Sequence, residues 1–199
     1  MAGEVQSGRG TREYESSKRY EEYAYVLDNL LHGRAGSRPG YHAGTMVQVI
    51  GEEYFTLLEA IAKEGITLKV ADRVYVGKKA REKITYIIGR IGYEELTSNA
   101  KLELPLVAEK IALNREDWFV NFFNTAHAIT PRMHMLELIP GIGKKYMWQL
   151  VNERERAPFK SFADLQQRAE IPNPTKLIAK RIVEELAGES KYRVFTRAP

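Results

Sequence analysis

Leu138-Ile139-Pro140-Gly141-Ile142-Gly143-Lys144-Lys145 is the stretch on which the reading of this chain turns. An apolar run stops at Pro140, a Gly-Ile-Gly turn follows, and two lysines open a helical pattern through Tyr146-Met147-Trp148-Gln149-Leu150-Val151. Glycine reaches backbone conformations that other residues avoid and has no Cβ to hold off a ligand. A helix starting just after such a turn offers unpaired N–H groups and the positive end of its dipole, which together favour an anion. Ile142, between the glycines, is expected to point inward and pin the turn. Lys144 and Lys145 oppose the dipole of the helix they open, which points to a bound phosphate as their partner. Met147 and Trp148 are expected in the core.

Outward from the turn, the pattern resembles the helix-hairpin-helix motif, which grips nucleic-acid backbones without reading sequence. Thr130-Pro131 has the form of an N-cap with proline at the first helical position, so the first helix of the hairpin is expected from Arg132. Phe159-Lys160-Ser161-Phe162 reads as a linker to helices near Phe162–Arg168 and Thr175–Leu186. A second hairpin would fall at Ile171-Pro172-Asn173-Pro174-Thr175-Lys176, with Asn173 as cap. Both glycines are absent there and each proline removes a donor, so it is expected to brace the first hairpin, with Lys176, Lys180 and Arg181 supplying point charge.

The preceding half is patterned for strands, expected at Tyr20–Leu27, Thr45–Ile50, Tyr54–Ile61, Ala71–Gly77 and Lys83–Ile91. Five short strands separated by turn signals suggest a small closed barrel. From Tyr93 the period becomes helical, with helices expected over Pro105–Asn114 and, capped by Asn114 or Asp117, around Phe119-Val120-Asn121-Phe122-Phe123. Lys191–Phe195 is expected to be a short strand or a docked tail. The fold class is therefore α+β. A five-stranded OB/S1-like β-barrel over residues 20–92 is followed by an all-helical domain over 93–199, with the helix-hairpin-helix at 131–187. Residues 1–19, polar and nearly free of aliphatics, read as a disordered tail.

On the barrel, Lys78, Lys79 and Arg81 form a basic loop after the Tyr75 strand, able to offer charge and stacking to a single strand. The flexible, basic loop Arg34 to Tyr41 is a candidate for the same role. Charge is unevenly spread: Gly141 to the C-terminus carries 12 Lys/Arg against 7 Asp/Glu, whereas Tyr93 to Thr130 carries 3 against 6. Positive charge thus gathers around the hairpin, as phosphate binding requires.

The 199 residues include no cysteine, which excludes disulfides and Cys-based zinc sites. No apolar run is long enough to span a bilayer and the N-terminus lacks a signal-peptide core, so a cytoplasmic location is expected. His32, His42, His127 and His134 are too scattered for a local metal motif, and Glu137 and Asp164 lack the partners of acid–base work. No phosphate-cradling P-loop, dinucleotide fingerprint or nucleophile elbow occurs. No metal, cofactor or catalytic residue is expected, and the chain reads as a non-enzyme.

The pieces also occur in a particular order. Gly51-Glu52-Glu53-Tyr54-Phe55-Thr56-Leu57-Leu58-Glu59, Arg73-Val74-Tyr75-Val76-Gly77-Lys78 and Tyr93-Glu94-Glu95-Leu96-Thr97 are followed by Phe119-Val120-Asn121-Phe122-Phe123-Asn124, Ile129-Thr130-Pro131-Arg132-Met133-His134 and the glycine turn. This order resembles an uncharacterised archaeal family of predicted RNA-binding proteins that join an OB-like barrel to a helix-hairpin-helix region. The resemblance implies nucleic acid as partner, RNA ahead of DNA, with the ribosome or another nucleoprotein complex as its setting. The alternatives are a DNA-binding factor of repair or replication, and a protein-interaction module in translation or transcription.

Overall fold

The structure, a computed structural model, describes residues 20–30 and 45–197. The N-terminal tail, the basic loop from Arg34 to Tyr41, His32 and His42 lie outside the described residues.

Five strands form one antiparallel sheet in the order β4-β1-β2-β3-β5: β1 (Tyr23–Leu30), β2 (Met46–Gly51), β3 (Leu57–Ala62), β4 (Arg73–Tyr75) and β5 (Ile84–Arg90). The sheet curls into a half-barrel whose edge strands, β4 and β5, do not pair with each other, so the expected closure is not made by strand hydrogen bonds. Strand alternation sorts the side chains into two cores. Ala24, Val26, Val47 and Val49 pack with Val74 and Ile84 inside the curl. Tyr25, Leu27, Ile50 and Leu57 face the helices, in one apolar cluster that runs on through Phe119, Ile142 and Ile178.

β3 starts three residues later than the periodicity suggests. The Glu21 carboxylate accepts hydrogen bonds from the amides of Glu53, Tyr54 and Thr56 at 2.9–3.0 Å, so these residues turn instead of pairing. Phe55 is held there at φ +56°, with its side chain buried.

The helical half begins at α1 (Ser98–Asn114), well before Pro105, which lies inside the helix on its exposed side. The start is fixed by tertiary contacts. Thr97 Oγ1 caps Ala100 N (3.0 Å) and donates to Asp28 Oδ2 (2.6 Å), while Gln48 Oε1 accepts from Thr97 N (2.9 Å). Neither Asn114 nor Asp117 caps α2 (Glu116–Thr125). Asn114 ends α1 and donates to the Tyr25 hydroxyl (2.9 Å), and the break falls at Arg115, drawn to the carbonyls of Glu52 (2.7 Å) and Glu53 (3.1 Å).

The expected helix from Arg132 is replaced by a small hairpin, β6 (Ala128–Thr130) with β7 (Met133–His134), and a single 3-10 turn at Met135–Leu138. The C-terminal half is therefore not all-helical. His134 decides this locally: its Nδ1 accepts from Leu136 N (3.1 Å) while its own amide donates to Glu137 Oε2 (2.9 Å), which starts a new turn three residues beyond the proline signal. Then come α3 (Lys144–Arg156), α4 (Phe162–Ala169) and α5 (Pro174–Leu186), with α5 packed along α1.

The linker between α3 and α4 is held on α2. Asn124 makes two bonds to the Phe159 backbone, accepting from its N (2.8 Å) and donating to its O (2.9 Å), and Glu116 Oε1 accepts from Phe162 N (2.5 Å). Lys191–Phe195 is a docked tail: Phe195 sits against Phe119, Phe122 and Trp118 at centroid distances of 5.3, 5.0 and 6.1 Å.

Candidate nucleic-acid interface

The turn before α3 has the backbone its sequence predicts. Gly141 adopts φ +91°, in the region that favours glycine, and Ile142 is buried with its amide bonded to Ile139 O (3.0 Å). Gly143 is the N-cap with ordinary extended dihedrals, and a Cβ placed there meets nothing within 4 Å. The first bond of α3 runs from Met147 N to Gly143 O (2.9 Å). The amides of Gly143, Lys144 and Lys145 have no hydrogen-bond partner among the described residues, and no side chain caps them. Open space, unpaired amides and a thirteen-residue helix dipole thus coincide.

Lys144 and Lys145 are exposed at this terminus. Trp148 corrects the sequence reading: it is 59% exposed, whereas Met147 beside it is buried as expected. Four residues on from Lys144 and three on from Lys145, Trp148 shares their face of α3. The signal was present in the spacing. Met147 and Leu150 with half-buried Val151 mark the inward stripe of α3, and Trp148 falls outside it.

The turn before α5 echoes the first without copying it. Glu170 stands in the left-handed region (φ +52°) and is followed by buried Ile171, as Gly141 is followed by Ile142. Pro172 and Asn173 then intervene. Asn173 is the N-cap, also left-handed (φ +44°), and its side chain makes no cap bond. The two turns approach each other: a Cβ on Gly141 would lie 3.2 Å from Leu177 Cδ2. Lys176 and Lys180 are exposed, on a groove floored by Leu106, Ala179 and Val183. Arg181 is not a free point charge. It is buried, paired with Glu185 (2.8 Å), and donates to Tyr192 O.

On the sheet, the loop after β4 divides its cations between two clefts. Lys79 shares one with Tyr75, Tyr23 and Arg73; its amide donates to the Tyr75 hydroxyl (3.2 Å), and the Tyr75 ring meets Tyr23 edge-on at 5.3 Å. Lys78 and Arg81 face the other cleft, with Tyr20, Ile87 and Arg90; Lys78 Nζ lies 4.3 Å from the Tyr20 ring centroid. The sheet residues and the hairpin residues therefore form separate groups. Among the described residues no three His, Asp or Glu side chains gather as a metal site, and no helix is long and apolar enough to cross a membrane.

Residues 20–197 match the family model described as "Protein of unknown function (DUF655)". The uncharacterized protein MJ0038 of Methanocaldococcus jannaschii is 42% identical over 178 residues, covering 89% of this chain and 80% of that protein. The crystal structure of Af1531 from Archaeoglobus fulgidus, of the same family, superposes with a TM-score of 0.82 at 46% identity, covering 89% of this chain and all of that one. The glycine turn, the half-barrel and the helices that brace them are therefore those of a DUF655 protein, a family of unknown function with archaeal homologues, and this chain belongs to it.

Proposed function

We propose that this chain is a non-catalytic nucleic-acid-binding protein, with RNA as the first candidate ligand. In this reading, Gly141-Ile142-Gly143 and the start of α3 act as a clamp on backbone phosphate of the helix-hairpin-helix kind, with the 3-10 turn Met135–Leu138 in place of its first helix, and the half-barrel acts as an OB-like second surface. The observation that carries the reading is the start of α3: three unpartnered amides in open space, flanked by exposed Lys144, Lys145 and Trp148. A phosphate there would take backbone N–H bonds, the dipole and two cations, and an unstacked base beside it could lie on the indole.

The hairpin offers no base-edge recognition, so the affinity is expected to be insensitive to sequence and sensitive to salt. The test is a titration of the full chain with matched single-stranded RNA, single-stranded DNA and duplex DNA, repeated on Gly143→Val. Tighter RNA binding, lost in the folded variant, supports the clamp. A preference for duplex DNA moves the reading to a repair or replication factor. No saturable binding to any naked nucleic acid leaves a protein-interaction module in its place.

A further inference from the structure

A cleft away from the hairpin collects three arginines. It lies between the turn before β3, the end of β5 and the C-terminal tail, with a volume of about 200 Å³. Its walls carry Arg90, Arg193 and Arg197 together with Tyr54 and Tyr93, and its floor is apolar, including Phe55, Leu57 and Ile91. Among the described residues no carboxylate side chain lines it. A second cleft of about 300 Å³, with Lys78, Arg81 and Tyr20 on its wall, shares Thr56 and Arg90 with the first. The carboxylate in that second cleft, Glu21, is already bonded to the amides of Glu53, Tyr54 and Thr56.

Both walls of the first cleft are fixed by buried carboxylates. Glu21 holds the turn that presents Tyr54 and places Phe55 at φ +56°. Glu185, fully buried, accepts from the amides of Val194 (2.7 Å), Phe195 (3.0 Å) and Thr196 (2.8 Å) and from Thr196 Oγ1 (3.0 Å). Those bonds immobilise the three residues between Arg193 and Arg197 and leave both arginines on the cleft. Arg193 Nη1 donates to Thr196 Oγ1 (3.4 Å) and to Arg197 O, and the Arg197 guanidinium carbon sits 3.6 Å from the Tyr54 ring centroid. Neither Arg90 nor Arg193 has an acidic partner among the described residues, although the chain has 26 acidic residues. Both line a cleft with an apolar floor and lack their usual neutraliser there. The component that fits is an anion with a flat apolar face.

We propose that this cleft binds a nucleotide, its phosphate taken by Arg90 and Arg193 and its base laid against Tyr54, Tyr93 and the Arg197 guanidinium. Guanidinium groups match phosphate oxygens in a fork, and aromatic rings and arginine planes stack any base. The apolar floor and the two tyrosines on its walls favour a base over the side chains of an acidic peptide. A nucleotide can arrive free or as one unit of a strand. In the strand-borne form the proposal rests on the nucleic-acid reading above and adds a second point of attachment, continued by the neighbouring Lys78 and Arg81.

The experiment follows amide chemical shifts of the full chain on addition of adenosine monophosphate, adenosine, inorganic phosphate, a single-stranded RNA of about eight residues, or a phosphoserine peptide. Shifts at Tyr54, Ile91, Gly92 and Arg193 with the monophosphate or the RNA are expected, with adenosine and phosphate alone much weaker. Binding of RNA far tighter than of the monophosphate identifies the strand as the source, and the reverse identifies a free nucleotide. Arg90→Gln with Arg193→Gln should weaken that binding by about tenfold or more while leaving the melting temperature within a few degrees. RNA shifts confined to Gly141–Trp148, with no shift at the cleft from the monophosphate, overturn the cleft but leave the clamp standing. RNA-induced shifts confined to the cleft keep this proposal and remove the clamp. Shifts with the phosphopeptide alone, or with none of the ligands, overturn it.

Discussion

Arg181 and Glu185 form an ion pair inside the protein, 2.8 Å apart and one turn apart on α5, with side-chain exposures of 7% and 0%. Glu185 also takes three tail amides and one hydroxyl. A carboxylate removed from water at this depth survives only because its lone pairs are used. The pair therefore ties the chain's last described segment to the helix packed on α1.

Glu185→Gln should cost about 3–5 kcal/mol, because it leaves the Arg181 charge buried without its partner and converts acceptors into a donor. Urea unfolding measures the loss. Glu153→Gln is the control, since its partner Arg156 is largely exposed and its other partner Arg168 keeps Asp164. Equal losses in the two variants would show that the tail clasp contributes nothing special.

The two glycines of the turn should separate when substituted. Gly141→Ala forces a Cβ into a left-handed residue at φ +91° and against Leu177 Cδ2, so about 1–2 kcal/mol of stability should go. Gly143→Val meets open space at ordinary dihedrals and should fold with less than about 1 kcal/mol of loss. Its branched side chain would stand over the free amides and weaken nucleic-acid binding. Thermal melts alongside binding titrations check both halves. A folded Gly143→Val that binds like the parent places phosphate elsewhere.

Trp148→Ala should leave stability unchanged, because the indole is 59% exposed, and weaken binding to single-stranded RNA by about 1–3 kcal/mol if a base stacks on it. Lys144→Ala and Lys145→Ala should each lower the salt dependence by about one unit of slope, the share of one neutralised phosphate. Affinity measured across a salt series reads all three. A tryptophan variant that loses stability but not affinity would return Trp148 to a packing role.

The sequence carried most of the elements but not what fixes their ends. The five strand segments with the turn signals between them and the Gly141-Ile142-Gly143 turn were readable because their causes are local: β-forming residues, glycine conformation, a buried isoleucine. The start of α1 was not, because Thr97 is held by Asp28 and Gln48, residues 69 and 49 positions away. The turn at Glu53–Thr56 was hidden for the same reason, since the carboxylate that makes it belongs to Glu21. Thr130-Pro131 looked like a helix start, but the His134 side chain captured Leu136 N and moved the start downstream. Arg90, Arg193 and Arg197 do not fall within one stretch of sequence, so no motif search could assemble their cleft.

His134 also makes stability depend on pH. Burial first, then the Arg154 charge and His127, hold its pKa below the usual imidazole range, against an opposing pull from Glu137. Geometry gives the same sign: Nδ1 accepts the Leu136 N–H, and a proton there would face that N–H and break the cap. The unfolded chain, with an ordinary imidazole, therefore binds a proton at a higher pH than the folded protein does. Between that ordinary value of about 6.5 and the lower folded one, the unfolded state gains protons and the folded state does not. The stabilising contribution is thus complete above about pH 6.5 and is lost as pH falls toward the folded value. His134→Asn keeps a capping oxygen but cannot titrate. Melting temperatures between about pH 7 and 5 should fall less steeply in this variant than in the parent, and identical slopes would assign the acid sensitivity to other groups.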